Sequence, residues 1–224
     1  MIPEAGEYPR HRTLWPVVLA ACPPGELAHD GEHILRVYRW ALVLARDAAV
    51  AADLAGAAAL VHDLVFVAKD SAERALGGER SAAAAPLALH AAGYAASEVA
   101  AITDAVRTSS WSRGLPPSGP LGAILQDADR LDALGAIGVA RLLACAQHMS
   151  RADRPGRFYD PGDPLATQGR ALDDRRNALD HCAAKLLKLA QGMHFPRAQQ
   201  EARRRHAVIE QFRADLMADI APAG

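Results

Sequence analysis

Aromatic residues make up only 5% of this 224-residue chain, and cysteine occurs three times. Few aromatics leave little bulk for a sheet-packed core. Cys22, Cys145 and Cys182 are far apart and odd in number, so they form neither a CxxC metal or redox pair nor a disulfide framework. That usage points to a reducing compartment. An excess of either charge is absent too: 25 basic residues stand against 26 acidic ones. Balance of this kind excludes charge-driven disorder and gives no global footprint for nucleic acid. No long apolar run survives intact either. The most apolar stretch, 48–68, is broken by Asp53, His62 and Asp63 and falls short of the roughly 20 uncharged residues a membrane span needs. Residues 1–12 contain no apolar segment of the secretory kind. The expected location is cytoplasmic, with no membrane partner.

What the chain does have is alanine, about fifty of them, within a 50% hydrophobic composition. Alanine favours helix while burying little area, so packed helices are expected. Ile34, Val37, Tyr38, Ala41, Leu44, Ala45 and Ala48 recur at helical spacing. A second helix is predicted from Asp53, read as its N-cap, through Leu64. Further helices are predicted over 81–92, 97–106, 121–134 and on to about Met149, followed by a proline- and glycine-bearing loop over 150–169. Helices over 172–193 and 196–220 complete the reading. No strand is predicted. The expected fold is all-α, a single domain over 1–224. Its core covers about 26–150, its loop about 150–170 and its appended C-terminal helices about 171–220.

Three segments set metal-ligating residue types where the helical pattern expects core. His33 opens the first long helix one turn before Val37. An adjacent His62-Asp63 pair ends the alanine-rich run. In Gln126-Asp127-Ala128-Asp129-Arg130, Asp129 falls about 40° from Leu125 at roughly 100° per residue, at the edge of the buried stripe. Buried charges are costly unless paired or bound to an ion, and imidazoles with carboxylates suit Mn, Fe, Co, Ni, Zn or Mg. Taken singly, each segment has an ordinary structural explanation; together their order is distinctive.

That order, His, then His-Asp, then Asp on successive helices, resembles the HD-domain superfamily of metal-dependent phosphohydrolases. The matching text is HDGEHILRVYR, LVHDLVFVAKDSAER, LQDADRLDALGAIGVAR and ALDHCAAKLLKLA, and within the superfamily it looks most like a bacterial branch of nucleotide pyrophosphohydrolases. The resemblance implies an HD-type helical bundle and four ligands to one divalent ion: His33, His62, Asp63 and Asp129. It implies hydrolysis of a nucleoside triphosphate to monophosphate and pyrophosphate, with Asp63 or Asp129 accepting the proton of an attacking water. Lys69 and Arg74 are the implied cationic helpers, and both count as catalytic as well as substrate-binding candidates. Arg130, His181 and Lys185 are further candidate substrate contacts. Asp30 and Glu32 are expected either to orient His33 or simply to favour the helix N-terminus. Partners are then a small phosphate substrate, with a homodimer compatible with the reading. The alternatives are a nucleotide phosphomonoesterase or phosphodiesterase, and a non-catalytic nucleotide-binding module.

The chain departs from the pattern twice. Only His90 lies between Asp63 and Asp129, which favours one metal over a two-metal, oxidative site. Ser109-Ser110-Trp111-Ser112 carries serine where the related branch often has histidine.

Overall fold

A computed structural model of the chain describes residues 7–68 and 71–220. It is all-α: no strand is present among the described residues, and the lone extended pairing is an isolated bridge between Arg157 and Asn177. The chain falls into two compact units, residues 1–130 and 131–224.

The first unit is organised around a helix almost without side chains. Helix α3 (Ala52–Val61) is ADLAGAAALV, and every residue from Ala55 to Val61 is buried. Small residues let backbones approach closely, and α3 packs against α1 (Pro9–Ala21), α2 (Gly31–Asp47), α4 (Gly77–Ala91) and α5 (Ala96–Arg107). The clearest close approach is at Gly56, where a Cβ would lie 2.4 Å from His11 Cε1 and 2.8 Å from Tyr38 Cε2.

Helix α2 follows its predicted stripe. Ile34, Val37, Tyr38, Ala41, Leu44 and Ala45 are buried, each large apolar side chain worth roughly 1.5–3 kcal/mol of burial. Asp30 is its N-cap, with Oδ1 accepting the His33 backbone N–H at 2.9 Å. Of the two roles expected for Asp30, the structure shows the helix-start one. Helix α3, by contrast, starts at Ala51 rather than at Asp53. Asp53 sits inside the first turn, where its carboxylate pairs with Arg10. Helix α1 escaped prediction because Pro9 and Pro16 interrupt its pattern, yet Leu14, Trp15 and Val18 are buried on one face. A proline at the start of a helix costs nothing there, and it is the interior Pro16 that obscures the pattern.

Helix α6 (Gly119–Asp132) follows the predicted boundaries closely. In the second unit, α7 (Gly135–Met149) packs on α9 (Pro196–Ile220). Gly135 has φ +75, and Arg205 lies against it and donates from Nη1 to the Leu131 carbonyl at 2.7 Å. The helix expected over 172–193 is a correction. Helical structure there is confined to residues 180–192 and includes a π turn (Cys182–Leu186), the short α8 (Leu187–Leu189) and a 3-10 turn (Ala190–Gly192). The preceding backbone is diverted: Arg157 N–H bonds the Arg176 carbonyl, and Ala178 and Leu179 N–H bond the Arg157 and Phe158 carbonyls. Asp180 holds that detour, accepting from Arg170, the Asp173 N–H and the Asn177 amide. Side-chain acceptors that compete for backbone donors are a recognised reason for a helix to start late.

Candidate metal centre

The stripe that buries Val37 and Ala41 also carries His33 inward, one turn earlier on α2. His62 is the C-cap residue of α3, and Asp63 follows it directly. Asp129 stands one turn after the buried Leu125 on α6. Ser81 on α4 fixes the chain just beyond the pair, its hydroxyl accepting the Val65 N–H at 3.0 Å.

These side chains converge. His33 Nε2 lies 3.6 Å from Asp63 Oδ2 and 3.9 Å from Asp129 Oδ1, and His62 Nε2 lies 3.7 and 3.8 Å from the same two atoms. The imidazole centroids are 5.2 Å apart at 69°. His33, His62 and Asp129 offer three ligand atoms within 4.8 Å of one another, and Asp63 reaches the same two imidazoles. Both histidines are buried, whereas the Asp63 and Asp129 side chains are 34% and 32% exposed. The cluster therefore has a closed imidazole floor and a carboxylate side open to solvent.

These four spacings exceed hydrogen-bond length. His62 Nδ1 donates to the Ala59 carbonyl at 2.8 Å, which leaves the lone pair on Nε2 aimed into the cluster. That Nε2 is buried with no hydrogen-bond partner among the described residues. A buried acceptor left in this state costs free energy unless something binds it. Two imidazole nitrogens with carboxylate oxygens fit a borderline divalent cation.

The remaining predicted residues fall in different places. Lys69 lies outside the described residues. Arg74 is exposed at the start of a 3-10 turn (Arg74–Leu76). Arg130 is buried, donates to Gln126 Oε1 at 2.6 Å and lies 5.0 Å from the Trp111 ring centroid. Burial pushes its guanidinium below the usual value, against the pull of Asp127 and Asp129. Gln126 in turn donates to the Thr108 and Leu115 carbonyls. Arg130 and Gln126 thus brace the loop that bears Trp111. Ser109, standing where related sequences often have histidine, is buried. Its hydroxyl donates to the Val106 carbonyl at 2.8 Å, and a Cβ on Gly78 would lie 3.3 Å from that oxygen. His181 and Lys185 belong to the second unit, where His181 Nδ1 donates to Asp174 Oδ2 at 2.9 Å. His90 is exposed in the last turn of α4, and Glu32 is exposed in the first turn of α2.

Sequence reasoning missed Glu26 and His29, a buried pair beside the cluster with Nδ1 to Oε2 at 2.5 Å. The available signal was two ionisable residues three apart, immediately before the His33 segment.

The family profile described as the HD domain matches residues 30–134, a span that contains all four converging side chains. YpgQ of Bacillus subtilis is 30% identical over 196 residues, covering 86% of this chain and 84% of YpgQ. A solved structure of YpgQ, in complex with ADP, superposes with a TM-score of 0.66 at 26% identity, covering 95% of this chain and 98% of that one. An HD-superfamily hydrolase from Bacillus thuringiensis is 31% identical with a TM-score of 0.64, covering 94% and 95% of the two chains. A Lactobacillus plantarum protein of solved structure gives a TM-score of 0.73 at 28% identity, with 98% of each chain covered. With the HD profile matched over the converging segments, a 30%-identical relative covered over most of both chains, and a similar solved structure named as an HD-superfamily hydrolase, the chain belongs to the HD-domain superfamily of hydrolases.

Proposed function

We propose that this chain is a phosphohydrolase dependent on one divalent cation held by His33, His62, Asp63 and Asp129, and that it cleaves a nucleoside triphosphate to monophosphate and pyrophosphate. The observation that carries the reading is the convergence of two buried Nε2 atoms with the carboxylates of Asp63 and Asp129. A divalent ion held there supplies Lewis acidity, lowering the pKa of a water and offsetting phosphoryl charge. The protein's own contribution is arrangement. His62 is oriented through Nδ1 by the Ala59 carbonyl, so that Nε2 faces the cluster. Asp63 presents a partly exposed carboxylate whose second oxygen, Oδ1, takes the proton of an attacking water. Asp129 is the other residue with a carboxylate so placed. Lys69 and Arg74, just beyond the His-Asp pair in sequence, provide cationic charge to a polyphosphate. Nucleotide as the substrate class draws support from YpgQ, which was solved with ADP.

The test is a nucleotide panel. Protein stripped of metal is incubated with nucleoside mono-, di- and triphosphates, then given Mn, Mg, Ni, Co, Fe or Zn in turn. Pyrophosphate with monophosphate is the expected result. Orthophosphate alone would overturn the bond assignment in favour of a phosphomonoesterase, and binding without turnover in any metal would favour a non-catalytic module. Lys69→Ala, Arg74→Ala, Arg130→Ala, His181→Ala and Lys185→Ala each assign a substrate contact if KM rises while metal stoichiometry holds.

A further inference from the structure

Beside the metal-ligand cluster is a second pair of ionisable side chains that the proposed reaction leaves unused. Glu26 and His29 lie in the turn over 23–30 that leads into α2, with side chains only 4% and 7% exposed. Both Glu26 oxygens are engaged, Oε2 by His29 Nδ1 at 2.5 Å and Oε1 by the Ala28 N–H at 2.8 Å. Taking such a pair out of water is costly when it is charged, and apolar residues of similar volume often serve stability as well. Stability is therefore a poor reason for it.

Its geometry suggests orientation. The hydrogen bond to Glu26 fixes one edge of the His29 ring, and the Phe66 ring packs against it with centroids 5.9 Å apart. Held in this way, His29 meets the His33 ring nearly perpendicular, at 5.8 Å and 75°. His33 then meets His62 in the same manner, at 5.2 Å and 69°. The His33 imidazole is bounded by a ring on either side, and Asp30 pins its backbone N–H. Outer groups that orient a ligating imidazole commonly change metal affinity about 10–100-fold when removed.

We infer that Glu26 and His29 are positioning residues that set the orientation of the His33 imidazole, and with it the affinity and symmetry of the cation site. The inference rests on the reading of His33 as a ligand. Glu26 acts on His29, and His29 acts on His33 through ring packing; neither touches the reacting atoms.

The experiment uses cobalt(II) as the probe, read by calorimetric Kd and by its visible ligand-field band, on the full chain at one fixed pH. Glu26→Gln keeps the size of the side chain but presents an amide where an acceptor is needed. His29→Asn keeps a donor for Glu26 but removes the ring that faces His33. His29→Phe keeps the ring and removes the donor. Both Glu26→Gln and His29→Asn are expected to weaken cobalt binding about ten-fold or more and to shift the band. His29→Phe is expected to retain more affinity than His29→Asn, with all variants matched for folding by circular dichroism. Kd within two-fold of the parent and an unchanged band in both Glu26→Gln and His29→Asn would overturn the inference. If one of these two fails to fold, the other decides. His33→Ala separates the failures: cobalt bound equally well by that variant sinks the reading of His33 as a ligand, and this inference with it.

Discussion

At the scale of single residues, His62 shows how little is needed to aim an imidazole nitrogen into a cluster. One hydrogen bond, from Nδ1 to the Ala59 carbonyl three residues back, fixes its tautomer and leaves Nε2 facing the cluster. Asp129 lies within 4 Å of both imidazoles, and Asp129→Ala is expected to remove stoichiometric metal, measured by elemental analysis after dialysis. Retention would redirect the assignment to Asp127 or Asp132, the other carboxylates of the same helix. Gly56 makes a different point. Alanine at an ordinary helix position is better than glycine by up to about 1 kcal/mol. Here the added Cβ would press on His11 and Tyr38, so Gly56→Ala is expected to cost about 1–3 kcal/mol, read as a lowered denaturation midpoint.

At the scale of elements, α1, α2 and α3 are joined by a buried histidine. His11 Nε2 donates to the Asp53 carbonyl at 2.8 Å, and Nδ1 accepts from the Tyr38 hydroxyl at 2.9 Å. Burial lowers His11 from its ordinary 6.5, and nearby Arg10 lowers it too, against the opposing pull of Asp53. The unfolded chain then binds the proton more readily than the folded one. Stability therefore rises with pH between the folded-state value and about 6.5, then levels off. Denaturant midpoints measured from pH 5 to 8 should show this slope, and His11→Gln should flatten it.

The same scale shows what was legible in the sequence. Helix α2 could be read because its stripe is unbroken from Ile34 to Ala45, and the converging His33, His62, Asp63 and Asp129 could be picked out because they are ionisable residues on or beside apolar helical segments. Helix α1 could not, since proline masks a face that burial nonetheless selects. The segment before α8 could not either, because its conformation is decided by Asp180 meeting Arg170 and by backbone pairing with residues twenty positions earlier. The Glu26–His29 pair was likewise hidden: nothing local distinguishes a buried Glu three residues from a His from a solvated one.

At the scale of the whole molecule, the near-neutral charge of −1 leaves recognition of a polyanion to local groups and a bound cation. Among the described residues no helix is long and apolar enough to cross a membrane. Since the cluster forms only when α2, α3 and α6 are folded, a cation bound there must stabilise the native state. At free metal about 100 times Kd the gain is about 2.7 kcal/mol. Thermal unfolding with and without a chelator should then differ by roughly 5–10 °C for a chain of this size, and equal midpoints would count against folding-dependent binding.

Helix α3 has a last consequence. From Ala55 to Ala59 it has no side chain beyond a methyl group, so this stretch has no rotamers with which to absorb a change. Whatever displaces α1, α2, α4 or α5 against it reaches the His62-Asp63 pair as a rigid shift of backbone. Substitutions that enlarge this central helix are accordingly expected to displace the His62-Asp63 pair, whereas changes on the exposed faces of its neighbours are expected to leave it in place.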